Sequence, residues 1–204
     1  MQNERIKSKV RFHAKIIRHI RLLHRTTGVV LAIFVLFIGI SGFMLGWKKH
    51  CNGYLLPNTQ QGTSSEFSQW QPMQNLHSKA IRILADSVSE NLSPELSRID
   101  IRKQTGVVKF VFEHHFWEIQ LDGATGSLLS IAKRRSDLLE QIHDGSFLDK
   151  FFKTNNEPIK RIYTSIMGIS LILFSISGFW IWIMPKVFKN IVKKQSQKSD
   201  RKTH

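Results

Sequence analysis

Residues 26–47 read TTGVVLAIFVLFIGISGFMLGW, twenty-two positions without a charge. A second such run, IYTSIMGISLILFSISGFWIWIM, occupies residues 162–184, twenty-three positions. A hydrocarbon core of ~30 Å needs about 20 helical residues at ~1.5 Å each, so either run is long enough to cross a bilayer. Backbone polar groups in lipid must satisfy one another, and a helix does this within a single segment. The two runs therefore predict two transmembrane helices. A cleaved signal peptide fits the first run poorly, because Gly46-Trp47-Lys48-Lys49 offers no small-residue cleavage site.

The charge distribution agrees. The formal net charge is +15, yet residues 1–25 hold 8 Lys/Arg against 1 acidic residue, residues 161–204 again hold 8 against 1, and the 135 residues between hold 14 against 13. Basic ends that abut apolar runs match cytoplasmic flanks beside anionic headgroups, whereas a nucleic-acid binder needs a basic face on a folded surface. No nucleic-acid partner is expected. Arg18, Arg21 and Arg25 precede the first run; Lys186, Lys189, Lys193 and Lys194 follow the second. The positive-inside rule then places both termini in the cytoplasm and residues 48–160 outside it. Lys48, Lys49, Lys160 and Arg161 oppose this but are outnumbered. Trp47 and Tyr163 mark the outer interface; Trp180 and Trp182 mark the inner one. Phe12, Ile16, Ile17 and Ile20 suggest an amphipathic segment lying on the membrane before the first span.

The two runs echo each other: Ile40-Ser41-Gly42-Phe43 recurs as Ile176-Ser177-Gly178-Phe179. Gly42 and Gly46 form a GxxxG pair with Gly39 one turn away, and Gly168, Ser175 and Gly178 are small residues in the second run. Such positions let helices approach closely, within one chain or between subunits. Making room for a flat cofactor is the other use.

Between the runs, residues 48–73 are rich in Pro, Gly, Ser, Gln and Asn and read as an irregular connector. Leu76, Ala80, Ile83, Leu84 and Val88 then recur at helical spacing to about Asn91, before Pro94. Short strands follow around Ile99–Arg102, Val107–Phe112, Trp117–Leu121 and Leu128–Ile131, with Asp122-Gly123-Ala124-Thr125-Gly126 as the last turn. One helix over three or four antiparallel strands makes a small α+β layer. The expected fold class is therefore a two-span α-helical membrane protein carrying a small extracytoplasmic α+β domain. Its parts are a basic segment 1–25, span 26–47, connector 48–73, α+β domain 74–133, junction 134–161, span 162–184 and basic tail 185–204.

The helix, the strands and the stretch Trp117–Leu129 resemble the closing hairpin of a PepSY domain. Leu23-His24-Arg25-Thr26-Thr27-Gly28 resembles the entry to the first span of PepSY-associated transmembrane proteins, and Ile142-His143-Asp144-Gly145-Ser146-Phe147 resembles a segment that precedes a later span in them. The likeness covers most of residues 20–185. It implies a bacterial inner-membrane protein, with residues 48–160 periplasmic, and it associates the chain with haem b, transmembrane electron transfer and reduction of siderophore-bound iron.

Within this chain the resemblance points to His24 and His143 as haem-iron ligands. A haem takes neutral imidazole at an axial position, often between helices. Gly28 falls on the face of His24 and can admit a porphyrin edge; Gly145 leaves space beside His143. The competing account makes His24 an interfacial residue among headgroups and His143 a cap at the domain–membrane junction. On the predicted topology the two face opposite leaflets and serve separate sites. His50 and Cys51 are the candidates for a missing outer ligand. His114 and His115 read as turn residues, His13 and His19 belong to the amphipathic segment, and His77 and His204 carry no signal.

Two spans do not easily enclose a haem, so a homodimer with four helices is expected if haem is bound. The single cysteine excludes an internal disulfide. No glycine-rich phosphate loop, nucleophile elbow, HExxH or Rossmann fingerprint is present, so electrons must come from a partner or the quinone pool. Neither span holds an ionisable residue, which argues against an ion path. Apart from a ferric-reductase-like subunit, two alternatives stand: a non-enzymatic, membrane-anchored module whose sheet edge binds or restrains an envelope partner, and an accessory to iron uptake without redox chemistry.

Overall fold

The computed structural model describes residues 2–200, apart from some side chains near either end; His204 and the side chain of His13 lie outside the described residues. The chain divides into two compact units, one formed by Met1–Gly39 with Leu148–His204 and the other by Ile40–Phe147.

The first unit is helical. Helix α1 runs Gln2–Trp47 and helix α5 runs Pro158–Asp200. Each contains a stretch long and apolar enough to cross a membrane, Ala14–Trp47 and Pro158–Ile191, and only 6 % of each apolar window is buried. That figure separates them from the core helices of a soluble protein. Side chains such as Val29, Phe37, Ile172 and Phe179 point outward, where only lipid makes them favourable. Both helices outrun the predicted spans. The segment expected to lie on the membrane continues without a break into the first span, because residues 2–25 contain no proline or glycine to interrupt it. α5 likewise passes through Pro185, which costs one internal hydrogen bond but does not end the helix.

α5 is started by a residue outside it. The carboxylate of Asp149, in helix α4 (Ser146–Phe152), accepts hydrogen bonds from the backbone N–H of Ile159 (3.0 Å) and Lys160 (2.7 Å), and also from the Thr154 hydroxyl. First-turn N–H groups of a helix have no partner of their own, and a carboxylate supplies one. Pro158 at the first position loses nothing by lacking an N–H. Burial pushes the Asp149 carboxyl up, but Thr154 and the two N–H groups outweigh it and hold it below the usual range.

The second unit holds the α+β domain. Helix α2 spans Met73–Ser87, four residues short of the expected end. Strands β1 (Leu96–Arg102), β2 (Val107–Phe112), β3 (Trp117–Asp122) and β4 (Leu128–Lys133) form an antiparallel meander in chain order. Val107 pairs with Asp122 and Val111 with Glu118, while bulges interrupt β1 between Leu96 and Arg98 and the β3–β4 ladder between Gln120 and Leu121. Leu76, Ala80 and Leu84 form the buried stripe of α2 and pack on Val108, Phe110, Phe112, Ile119 and Leu121. This is the layer that the alternating pattern predicts. Gly106, at φ +70°, turns the chain from β1 into β2 where a Cβ would lie 2.6 Å from the Ser64 carbonyl oxygen. Helix α3, Arg135–Asp144, follows β4 in what the sequence suggests is a junction.

The opposite face of the sheet departs from expectation. Lys109, Glu118, Gln120 and Asp122 alternate with apolar residues as solvent-facing side chains do, yet all four are buried. The connector bonds two of them, Gln120 and Asp122, while Lys109 and Arg134 pair with Glu118. Gln60 N–H donates to Gln120 Oε1 (2.9 Å), Gln120 Nε2 donates to the Asn58 carbonyl (2.8 Å), and Thr63 donates to Asp122 from both its N–H (2.8 Å) and its hydroxyl. Residues 55–66 thus serve as an ordered strap whose backbone groups satisfy a polar sheet face.

Candidate functional site

In the helical unit, His24 of α1 faces α5. Its Nδ1 lies 2.7 Å from Ser177 Oγ, and its ring stacks on Phe174 with centroids 4.0 Å apart at 30°. The serine hydroxyl has one proton, which it donates to the Phe174 carbonyl at 3.1 Å. With its proton on that carbonyl, Ser177 Oγ is an acceptor for His24 Nδ1, and the tautomer that uses it leaves a lone pair on Nε2. Gly178 lies beneath the ring, where a Cβ would be in ordinary contact, 3.5 Å from His24 Cε1. Gly28, one turn along α1, does not hold space open beside the histidine. Phe174 fills it, since a Cβ at Gly28 would lie 2.6 Å from Phe174 Cζ.

His24 also lines a groove of about 430 Å³ between α1 and α5, whose walls include Leu23, Leu31, Leu173 and Trp180, with Thr27 and Ser170 as further polar groups. The volume falls within the ~300–1,000 Å³ of small-molecule sites, and an apolar lining with few polar groups is their usual character.

In the second unit, His143 occupies the last turn of α3 and meets the last turns of α1. Its Nδ1 lies 2.9 Å from Ser41 Oγ, and a Cβ on Gly42 would be 3.3 Å from its Cε1. Glu140, one turn earlier in α3, pairs with Lys48. Ser41 lies about two turns before the end of α1 and Lys48 directly follows that end, so the last turns of α3 run beside the end of α1. His143 is half-buried in this position. It is drawn against the apolar run, about 9 Å of helix rise before Trp47.

The repeated tetrapeptide has the same use in both units. Each Ser-Gly pair seats one histidine, with the serine hydroxyl at Nδ1 and the glycine beneath Cε1. The sequence suggests that these small residues pack helix on helix. Gly42 meets the His143 imidazole tightly and Gly178 meets that of His24 in ordinary contact, while Gly39, Gly46 and Gly168 have nothing within 4 Å of an added Cβ.

The other described histidines have local partners. His19 Nδ1 lies 2.8 Å from the Lys15 carbonyl, and His50 sits edge-on to Trp47, whose carbonyl also accepts from Cys51 Sγ at 3.3 Å. His77 stacks on Phe110. His114 and His115 lie in the β2–β3 turn, against Glu95 (3.0 Å) and the Ser93 carbonyl (3.1 Å). Among the described residues no group of three or more His, Cys, Asp or Glu could hold a bare metal ion.

A two-helix membrane protein with a small α+β domain and two serine-seated histidines is the class so defined. The family model described as the PepSY-associated TM region matches residues 21–204, and the chain belongs to that family. No curated protein and no solved structure matches it.

Proposed function

We propose that this chain is a haem-binding subunit of transmembrane electron transfer in a bacterial inner membrane, delivering electrons to ferric iron outside the cytoplasm. One observation carries the reading: His24 Nδ1 lies 2.7 Å from Ser177 Oγ, whose own proton is turned to the Phe174 carbonyl, and the imidazole lines an apolar groove; with Nδ1 as the donor, Nε2 is free to bind iron. A hydrogen bond at the far ring nitrogen is the usual second partner of a metal-bound histidine, setting its tautomer and raising its basicity. The residues present fit the group. His24 would hold it in the helical unit and His143 in the other, and a haem bound by imidazole would supply one-electron chemistry. Phe174 fixes the plane of the His24 ring, and the leucines of the groove keep water out.

Each seat contributes one imidazole. A second copy of the chain would supply further helices, and the open glycines Gly39 and Gly46 support a close helix contact with it. The basic ends support an orientation with both termini in the cytoplasm and residues 48–160 in the periplasm.

Protein purified in detergent from haem-replete cells is expected to show a Soret band. His24→Ala and His143→Ala should each remove part of it and together abolish it. A colourless protein, or a band that survives both substitutions, would overturn the proposal.

A further inference from the structure

The α+β domain carries a second concavity, of about 540 Å³, on the side of the strap rather than of α2. Lys49, Arg102, Lys103, Lys109 and Arg134 all line it, together with strap residues Asn58 and Thr59. Residues 26–160 are close to neutral as a whole, so this is a local concentration of positive charge.

Its floor is under-neutralised. Lys109 is only 3 % exposed and its partner is Glu118, with Nζ to Oε1 at 3.4 Å. Glu118 is already engaged by Arg134, which also pairs with Asp137 at 3.0 Å. Asp137 in turn accepts from Arg98 at 2.9 Å. Asp100 lies 3.6 Å from Arg98 and 4.0 Å from both Arg102 and Arg134. Across β1, β2, β3 and α3, the carboxylates Asp100, Glu118 and Asp137 thus serve Arg98, Arg102, Lys109 and Arg134, and Lys49 and Lys103 stand beside them at the rim. Six cations against three carboxylates leave an excess of three positive charges. Burial pushes the Lys109 ammonium down; Glu118 opposes this, but Arg102 and Arg134 push the same way as burial.

A low-dielectric concavity lined by one sign of charge focuses field and gathers counter-ions. Arg102 offers a planar fork that takes two oxygens at once, and Lys49 and Lys103, the latter with its ammonium 5.3 Å from the centre of the Phe67 ring, add compact point charges. We infer that this groove binds a small anion bearing two or more carboxylate or phosphate groups. Apolar ligands are disfavoured by its charged wall, and a single monovalent anion would leave most of the excess uncompensated. Lys49 follows Trp47 by two residues, so the oxygens can come from a soluble anion or from an anionic lipid headgroup.

The test is calorimetric titration of citrate and of pyrophosphate into the full chain in neutral detergent, repeated at rising salt. Binding is expected, weakening as salt increases. The double variant Lys49→Gln/Lys103→Gln should lose at least about tenfold, and adding Arg102→Gln a further comparable factor; all three positions are exposed, so the fold is kept, as circular dichroism would verify. In neutral-lipid nanodiscs, unchanged affinity with no competition from added anionic lipid assigns the soluble source. Competition by anionic lipid assigns the headgroup. Absence of binding by either anion, or binding indifferent to the three substitutions, would overturn the inference.

Discussion

Removal of one hydroxyl from α5 should impair a site on α1. In Ser177→Ala the 2.7 Å hydrogen bond to His24 is lost, and so is the proton acceptor that fixes the ring. A hydrogen bond of this kind contributes about 0.5–1.5 kcal/mol to stability, and a partly buried imidazole N–H left without a partner costs ~1–3 kcal/mol. Neither is enough to unfold two apolar helices held by lipid, so the variant should insert and accumulate normally. The histidine then has no reason to keep its proton on Nδ1 and can present an N–H where iron would bind. Loss of such an outer partner typically lowers metal affinity 10–100-fold, or about 1.4–2.8 kcal/mol. The assay is absorbance titration of detergent-purified, haem-depleted protein with haemin, carried out on His143→Ala so that only the His24 seat is read. Ser177→Thr, which keeps the hydroxyl, should stay close to the parent. If Ser177→Ala matched the parent in affinity and in spectrum, the serine would not be setting the ligand, and the reasoning behind both seats would fail.

The glycines form a graded series under the same assay and a thermal melt. Gly28→Ala should be the most damaging, since the new methyl displaces the Phe174 ring that stacks on His24; Gly42→Ala should shift His143 by a few tenths of an ångström, and Gly178→Ala should be nearly neutral. In the α+β domain, Glu118→Gln leaves two buried cations short of a counter-charge and should cost on the order of 3–5 kcal/mol, read as a lowered midpoint in denaturant. Asp122 is pushed up by burial, but the Thr63 hydroxyl and the N–H groups of Thr125, Ala124 and Thr63 more than offset this and hold its carboxyl below 3.8. Its stabilising effect is therefore complete above that value and disappears as pH falls through the lower folded-state value. Asp122→Asn should lower the melting temperature near neutrality and flatten the acid limb, so that the two profiles converge as pH falls; an unchanged acid limb would contradict the assignment.

Much of the fold can be read from the chain because its signals are local. The two uncharged runs, the helical spacing of Leu76, Ala80 and Leu84, and the alternation through β3 each follow from a single segment's contact with lipid or core. The buried polar face could not be read that way. Glu118 and Gln120 alternate as exposed residues do, but the strap, some 60 positions earlier, bonds Gln120, while Lys109 and Arg134 pair with Glu118. Helix α3 is polar enough to pass for a junction, because just one turn of it meets α1. At the site, His24 and His143 stand out through their motif context, but the roles of Ser41 and Ser177 do not. A serine in an apolar helix can always bond its own backbone, and a glycine beside it suggests helix packing. The one available signal was the repetition of Ile-Ser-Gly-Phe in a chain that also holds two motif histidines.

The claim on which the rest depends is that Ser177 keeps the proton of His24 on Nδ1 and leaves Nε2 bare. Nitrogen NMR of histidine-labelled protein, at alkaline pH where the ring is neutral and with His24→Gln for assignment, reads this directly. The account predicts a protonated, pyrrole-like Nδ1 and a pyridine-like Nε2 for His24, reversed or averaged in Ser177→Ala. A His24 signal with the proton on Nε2 in the unsubstituted protein would contradict it.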